Sequence, residues 1–200
     1  MRALHDSFVL FPGAEPKRPG HRVSAHTGKL HSVQLWGPLH PLWADRFTRG
    51  LSNLGISILN GFARQAVQGS WGAEFLVMPV PGGADPERVD YISLTLEAPP
   101  PFAPPPVLDG FDVDGSPERG GFIYLEVRGP DRVGFLGSLL RILAEHGLVP
   151  REMWVATRYG EACDRFLLCA SDGRSPGDDV RHRLTSALEV YRQPPAAASA

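Results

Sequence analysis

Residues 129–136 read Gly-Pro-Asp-Arg-Val-Gly-Phe-Leu, and this stretch joins a strand-like run at 122–127 to an amphipathic helical pattern at 135–145. It therefore predicts a turn from a strand into a helix. A glycine in the first turn of a helix leaves backbone N–H groups open to a ligand, and the positive end of the helix dipole favours an anion there. This turn is the first candidate for a binding site.

The same arrangement occurs a second time upstream. Five residues recur at a constant distance: Gly37-Pro38, Arg49, Leu51 and Gly55 have counterparts in Gly129-Pro130, Arg141, Leu143 and Gly147. The two members of each pair are 92 positions apart (129 − 37, 141 − 49, 147 − 55). A repeat of this period indicates an internal duplication into two units of roughly 70 to 90 residues. Units of that size bury a limited fraction of their surface, so we expect them to pack on each other or on a second chain.

The chain divides into five predicted segments. These are an irregular arm at 1–31, a first unit at 32–98, a Pro/Gly-rich linker at 99–121, a second unit at 122–190 and a disordered tail at 191–200. The arm contains one predicted short strand at Ser7–Phe11. Prolines force the start of the linker into an extended course, which favours a spacer between the units.

In each unit the hydrophobic pattern predicts the order βαββαβ, which gives an α+β fold of two ferredoxin-like units with antiparallel sheets and helices on one face. The first unit is predicted to end in a helix at 85–91 and a strand at 93–97, whereas the second unit lacks its final strand. The second strands of the units, at 56–67 and 148–159, lie at sheet edges that must be covered. We expect these edges to pair, within the chain or between chains, into one continuous sheet.

The composition excludes several classes of function. A formal net charge of −2 leaves no overall basic surface, so nucleic acid is not an expected partner. Nothing approaches a membrane-spanning helix or a signal-peptide core, so we expect a cytoplasmic protein with no membrane partner. Cys163 and Cys169 share one strand face about 20 Å apart, which is beyond disulfide reach. The sequence predicts no metal, no cofactor and no catalytic residues, because no motif supplies metal ligands or pairs a nucleophile with a base.

Residues 122–190 resemble an ACT domain, the small βαββαβ regulatory module of amino-acid metabolism. The family places an Asp-x-Pro-Gly turn between its first strand and helix, and Asp131-Arg132-Val133-Gly134 keeps the Asp and the Gly. The run at 157–166 is most similar to the ACT modules at the C-terminus of bacterial uridylyltransferase/uridylyl-removing enzymes. In the first unit Leu39-His40-Pro41-Leu42 keeps only the proline, which indicates a degenerate copy. The layout resembles tandem-ACT regulators of the glycine cleavage repressor type.

The turn predicts an effector pocket formed by Asp131, Arg132, Val133, Gly134, Phe135 and Leu136. In this interpretation the amides of 133–136 receive a carboxylate and Asp131 orients a ligand amine or the turn itself. The alternative is a tight turn in which Gly134 serves helix packing and Asp131 is an N-cap.

The resemblance implies a non-catalytic regulatory protein that binds an amino acid or a related small metabolite at an interface between ACT units. Such a protein signals to a partner enzyme or regulator, or acts as a homo-oligomer such as a homodimer. The alternative function is a structural oligomerisation or protein-interaction module whose ligand pockets are vestigial.

Overall fold

The computed structural model of the chain describes residues 18–66, 69–98, 104–115 and 120–193. Within these ranges one antiparallel sheet of eight strands carries four α-helices. The elements are β1 Gly20–Ala25, β2 His31–Gly37, α1 Trp43–Asn53, β3 Ile56–Gln65, β4 Trp71–Pro79, α2 Tyr91–Leu96, β5 Gly110–Asp114, β6 Ile123–Pro130, α3 Phe135–Glu145, β7 Leu148–Arg158, β8 Glu161–Ala170 and α4 Asp178–Glu189, with a short 3-10 helix at Pro86–Arg88.

The strand order is β1-β2-β4-β3-β7-β8-β6-β5, so the two halves of the sheet have the same order from edge to centre. Helix α3 begins and ends 92 positions after α1 (135 − 43 and 145 − 53), as the repeat in the sequence predicts. The predicted α+β class with two ferredoxin-like units is confirmed. The core lies between the sheet and the helices, where residues such as Phe47, Phe75, Leu139 and Phe166 are fully buried.

The fourth strand of the first unit differs from the prediction. Residues 93–97 were expected to form a strand, and this expectation is wrong because 91–96 form α2. The Asp90 carboxylate accepts hydrogen bonds from the N–H groups of Ile92 and Ser93, each at 3.2 Å, and this N-cap starts a helix in spite of the β-branched residues that follow. The predicted helix at 85–91 is reduced to one 3-10 turn. Strand β1, which lies in the predicted irregular arm, occupies the sheet edge beside β2 instead.

The second unit is completed in the same way, by β5 from the segment predicted as a linker. Phe111 and Val113 of β5 lie opposite Val127 and Leu125 of β6. Leu108, just before β5, is fully buried, and its N–H donates to the carbonyl of Tyr191 at 2.9 Å. Residues 191–193 were predicted as part of a disordered tail, and this is wrong because they are held against Leu108 by backbone hydrogen bonds. Residues 194–200 and the predicted strand at Ser7–Phe11 lie outside the described residues.

The two halves of the sheet join through β3 and β7, which confirms the predicted pairing of these edges and places it within one chain. Gly61 lies opposite Val155, and Phe62 lies opposite Trp154 with ring centroids 5.4 Å apart. We call this line of contact the seam. Space at Gly61 is limited, because a Cβ atom there would lie 2.3 Å from the buried ring of Phe75 and 3.0 Å from a backbone carbonyl oxygen.

Replacing Gly61 with alanine should therefore destabilise the protein by about 1–3 kcal/mol, since β3 or the Phe75 ring must move to admit the methyl group. The matched control is Gly110→Ala on β5, where a Cβ atom meets nothing within 4 Å. Urea denaturation of both variants measures the difference. An equal loss of stability in the two would show that Gly61 of β3 is not closely packed against Phe75 of β4.

Candidate functional site

The turn at 131–134 follows β6, and its backbone course depends on Gly134. This residue is the N-cap of α3 and has φ 94°, a left-handed conformation that glycine adopts without strain. Leu42, the corresponding N-cap of α1, has φ −92°. The two turns of the duplication therefore follow different backbone paths, and the second leaves the start of α3 without a side chain over it.

All six residues predicted from the turn line one cavity, which lies at the seam between the two units. Thr48 and Ser52 of α1 and Ser57 of β3 form the wall from the first unit, and β7 and β8 form the floor. The cavity has a volume of about 30 Å³ and is partly open to solvent. That volume holds about two water molecules. The cavity as it stands accepts a small polar group at its inner end.

The backbone amides of the turn are partly available. The N–H of Phe135 donates to the carbonyl of Arg132 at 3.0 Å, so it is not free for a ligand. Within the described ranges, the N–H groups of Val133, Gly134 and Leu136 donate to no backbone carbonyl. Arg132 lines the cavity, but its guanidinium donates to the carbonyl of Pro105. The predicted anion site thus lacks one of its four amides, and its nearby cation is engaged elsewhere.

Asp131 does not act as an N-cap. Its N–H donates to the carbonyl of Gly160 at 2.8 Å, and its carboxylate accepts a hydrogen bond from the hydroxyl of Thr157 at 2.6 Å. Helix α3 has no side-chain hydrogen bond at its N-cap. The carboxylate is therefore held against β7 at the side of the cavity. Asp131 thus fixes the turn to its neighbouring strand.

A second acid, Asp164 of β8, lines the same cavity and was not singled out from the sequence. Its side chain is buried, with only 3% of the residue exposed, and Oδ1 accepts a hydrogen bond from the N–H of Ala156 at 3.2 Å. Burial raises the pKa of Asp164 to about 7. The hydrogen bond from the Ala156 N–H lowers this pKa, whereas the nearby charge of Asp131 raises it further. The cavity thus contains one carboxyl group that changes its charge near neutral pH.

The sequence held a signal for Asp164. In β8 the residues 162, 164, 166 and 168 alternate with more exposed positions and are all buried, so an acid at 164 interrupts an otherwise apolar strand face. Ala73 holds the matching position of the first unit, since Leu35 pairs with Ala73 as Val127 pairs with Asp164. Leu39, the counterpart of Asp131, is also buried. The matching positions of the first unit, Leu39 and Ala73, are therefore apolar.

Comparison with known proteins adds little to this site. No family model and no curated protein matches the chain. Among solved structures, the chain is similar to aspartate kinase from Synechocystis, with a TM-score of 0.42 and 14% identity over 80% of this chain and 27% of that one. The chain therefore spans about a quarter of that enzyme's chain, and a TM-score this low assigns no function. The resemblance to ACT domains stays a prediction from the sequence.

Further observations concern membrane-spanning helices, metal binding and the two cysteines. No helix in the described part of the chain is long and apolar enough to cross a membrane. Across the same residues, no group of three or more His, Cys, Asp or Glu side chains is placed to hold a metal ion. Cys163 and Cys169 are both free thiols.

Asp164 predicts a specific pH dependence of stability. The folded chain keeps the proton of this carboxyl group up to about pH 7, whereas an unfolded aspartate loses it near pH 4. Between these values the folded state binds more protons, so its stability falls as the pH rises, by up to about 1.4 kcal/mol per pH unit. Asp164→Asn should remove this contribution, so the variant gains stability relative to the parent as the pH rises through this window.

Urea denaturation across this pH range checks the prediction. Asp112→Asn is the matched control, because it removes a carboxyl group that is exposed on β5 instead of buried in the cavity. A constant difference in stability between parent and Asp164→Asn at all pH values would show that folding does not raise the pKa of Asp164.

Proposed function

We propose that the chain is a non-catalytic regulatory protein that binds an amino acid or a related small metabolite in the seam cavity and signals its presence to a partner protein. The observation that carries this proposal is the position of the cavity. A ligand there touches α1 and β3 of the first unit together with the turn, β7 and β8 of the second. Binding therefore couples to the relative placement of the two units, which is what a sensor requires.

The packing beside the cavity supports such coupling. Helices α1 and α3 contact each other closely at Gly137, where a Cβ atom would lie 2.8 Å from Cγ of Arg49. The Arg49 guanidinium is fixed by two hydrogen bonds to Asp45, at 2.8 and 2.6 Å, and both side chains are buried. Because buried pairs of this kind are costly to disturb, a shift of α1 is transmitted to α3 rather than absorbed in side chains.

A thermal-shift screen over the proteinogenic amino acids tests the proposal. A ligand that binds the folded state stabilises it by mass action, by about 2.7 kcal/mol at a concentration of 100 times Kd. Two glycine variants locate the site. Gly134 and Gly147 both have positive φ, 94° and 71°, but only a Cβ atom at Gly134 faces the cavity, 3.0 Å from Oγ of Ser52.

We expect Gly134→Ala and Gly147→Ala each to lower stability by about 1–2 kcal/mol, because both force alanine into a left-handed conformation. Only Gly134→Ala should also abolish the shift in melting temperature caused by the ligand. A ligand that stabilises both variants equally binds outside the seam cavity. If no amino acid and no simple amine or carboxylate stabilises the parent protein, the sensor proposal is wrong and the structural module is favoured.

A further inference from the structure

The charges that face the seam cavity are unbalanced. The carboxyl groups of Asp131 and Asp164 both line it, and the cation among its lining residues, Arg132, directs its guanidinium to the carbonyl of Pro105. The remaining polar groups from α1, β3 and β7 are the hydroxyls of Thr48, Ser52, Ser57 and Thr157, which carry no charge. A ligand entering the cavity therefore meets two carboxyl groups and one cation, and the hydrogen-bonding capacity of that cation is directed at Pro105.

Asp164 also lacks hydrogen-bond donors. Oδ1 accepts a hydrogen bond from the Ala156 N–H, whereas Oδ2 accepts none from the residues that the structure describes. A carboxylate can accept about four hydrogen bonds, so Oδ2 of Asp164 keeps acceptor positions that a ligand in the cavity can fill. A ligand that brings N–H donors and a positive charge removes both deficits at once.

The size of the inner space selects the group that fits. About two water molecules fill the cavity volume of 30 Å³, which suits an ammonium head and is too small for a whole amino-acid side chain. A primary ammonium has three N–H donors, enough to reach both carboxyl groups and one hydroxyl. The rest of the ligand then occupies the wider mouth between α1 and the turn.

We propose that the inner end of the seam cavity binds a primary ammonium group between the carboxylates of Asp131 and Asp164, so that the ligands of this site are primary amines, amino acids among them. This inference rests on the proposed function and narrows its ligand class. From the sequence, the carboxylate of the ligand is expected to contribute most to binding, through the amides at the start of α3. In the present proposal the ammonium group of the ligand contributes more than its carboxylate. Removing the amine from a ligand should abolish binding, and converting its carboxylate to an amide should weaken binding by less than about tenfold.

The proposal predicts a pH dependence with a definite sign. An ammonium group favours the ionised form of Asp164, so binding lowers the pKa of this residue and strengthens as the pH rises through 7. Among the cavity-lining residues the charged groups facing Asp164 are Asp131 and Arg132, both from the turn. The residues that α1, β3 and β7 contribute to the lining are uncharged. The change in binding near neutral pH therefore reports the titration of Asp164, whose neighbouring acid in the cavity is Asp131.

The test is an NMR titration of the side-chain carboxyl carbon of Asp164 in the full chain, with methylammonium chloride as the probe. At about ten times its Kd, methylammonium should lower the pKa of Asp164 by about 1. Tetramethylammonium chloride and potassium chloride at equal ionic strength are the controls, because the first has no N–H donor and the second is a small inorganic cation. Both should leave the titration unchanged.

Two variants assign and check the signal. Asp164→Asn removes the resonance, and Asp131→Asn, which keeps the bond to Thr157 available, should weaken the effect of methylammonium at least about tenfold while Asp164 still titrates. Circular dichroism establishes that each variant is folded. If Asp164→Asn does not fold, Asp131→Asn alone decides the outcome.

Each remaining result contradicts the inference in a distinguishable way. An equal response to potassium would make the site one for inorganic cations. No response to methylammonium, together with binding of sodium propionate at the α3 amides, would overturn the ammonium site and leave a carboxylate-binding sensor. Absence of binding by methylammonium, propionate and every amino acid in the thermal-shift screen would overturn the proposed function as well.

Discussion

The antiparallel pairing of β3 with β7 is the constraint on which the rest of the molecule depends. Each strand would otherwise be the open edge of a four-stranded sheet, with unpaired N–H and C=O groups facing water. Their pairing produces one sheet of eight strands and brings α1 beside α3 on the same face. It also places α1 and β3 against the turn of the second unit. The cavity exists because of this junction, since neither unit alone supplies both of its walls.

The two units share their elements but differ in chemistry at a few positions. Leu39, Leu42 and Ala73 in the first unit correspond to Asp131, Gly134 and Asp164 in the second. The first set is apolar, whereas the second combines two acids with a left-handed glycine. The polar groups are thus collected at the second turn, which lines the cavity. This asymmetry is why the proposed function concerns a single site in the chain.

Much of the fold follows from the periodicity of the sequence. The 92-residue repeat predicts that β2, α1 and β3 correspond to β6, α3 and β7. These elements are predictable because each buries a regular apolar face, which produces a periodic hydrophobic pattern in the sequence. The edge strands β1 and β5 were missed for two reasons. Strand β1 has little apolar alternation, and the alternation of β5 covers only the four residues 111–114. Helix α2 was missed for a different reason. A single N-cap at Asp90 outweighs the strand preference of the residues after it.

The candidate site was predictable only in part. The turn at 131–136 was found because an Asp and a Gly at that spacing indicate a strand-to-helix connection with exposed amides. Asp164 could have been identified only from its place on the buried face of β8, and its nearness to Asp131 depends on the pairing of β6 with β8. The hydroxyls of α1 reach the cavity through contacts between the units, which no local pattern specifies. Non-local contacts therefore decide the chemistry of the site.

The central claim is that the seam forms within one chain. An isotope-filtered NOE experiment on an equal mixture of labelled and unlabelled protein tests it most directly, by observing contacts between the backbone protons of β3 and β7 around Gly61 and Val155. The structure predicts these NOEs within labelled chains and none between labelled and unlabelled chains. Cross-strand NOEs that arise only between chains, or none at all, would contradict the account of the fold and of the cavity.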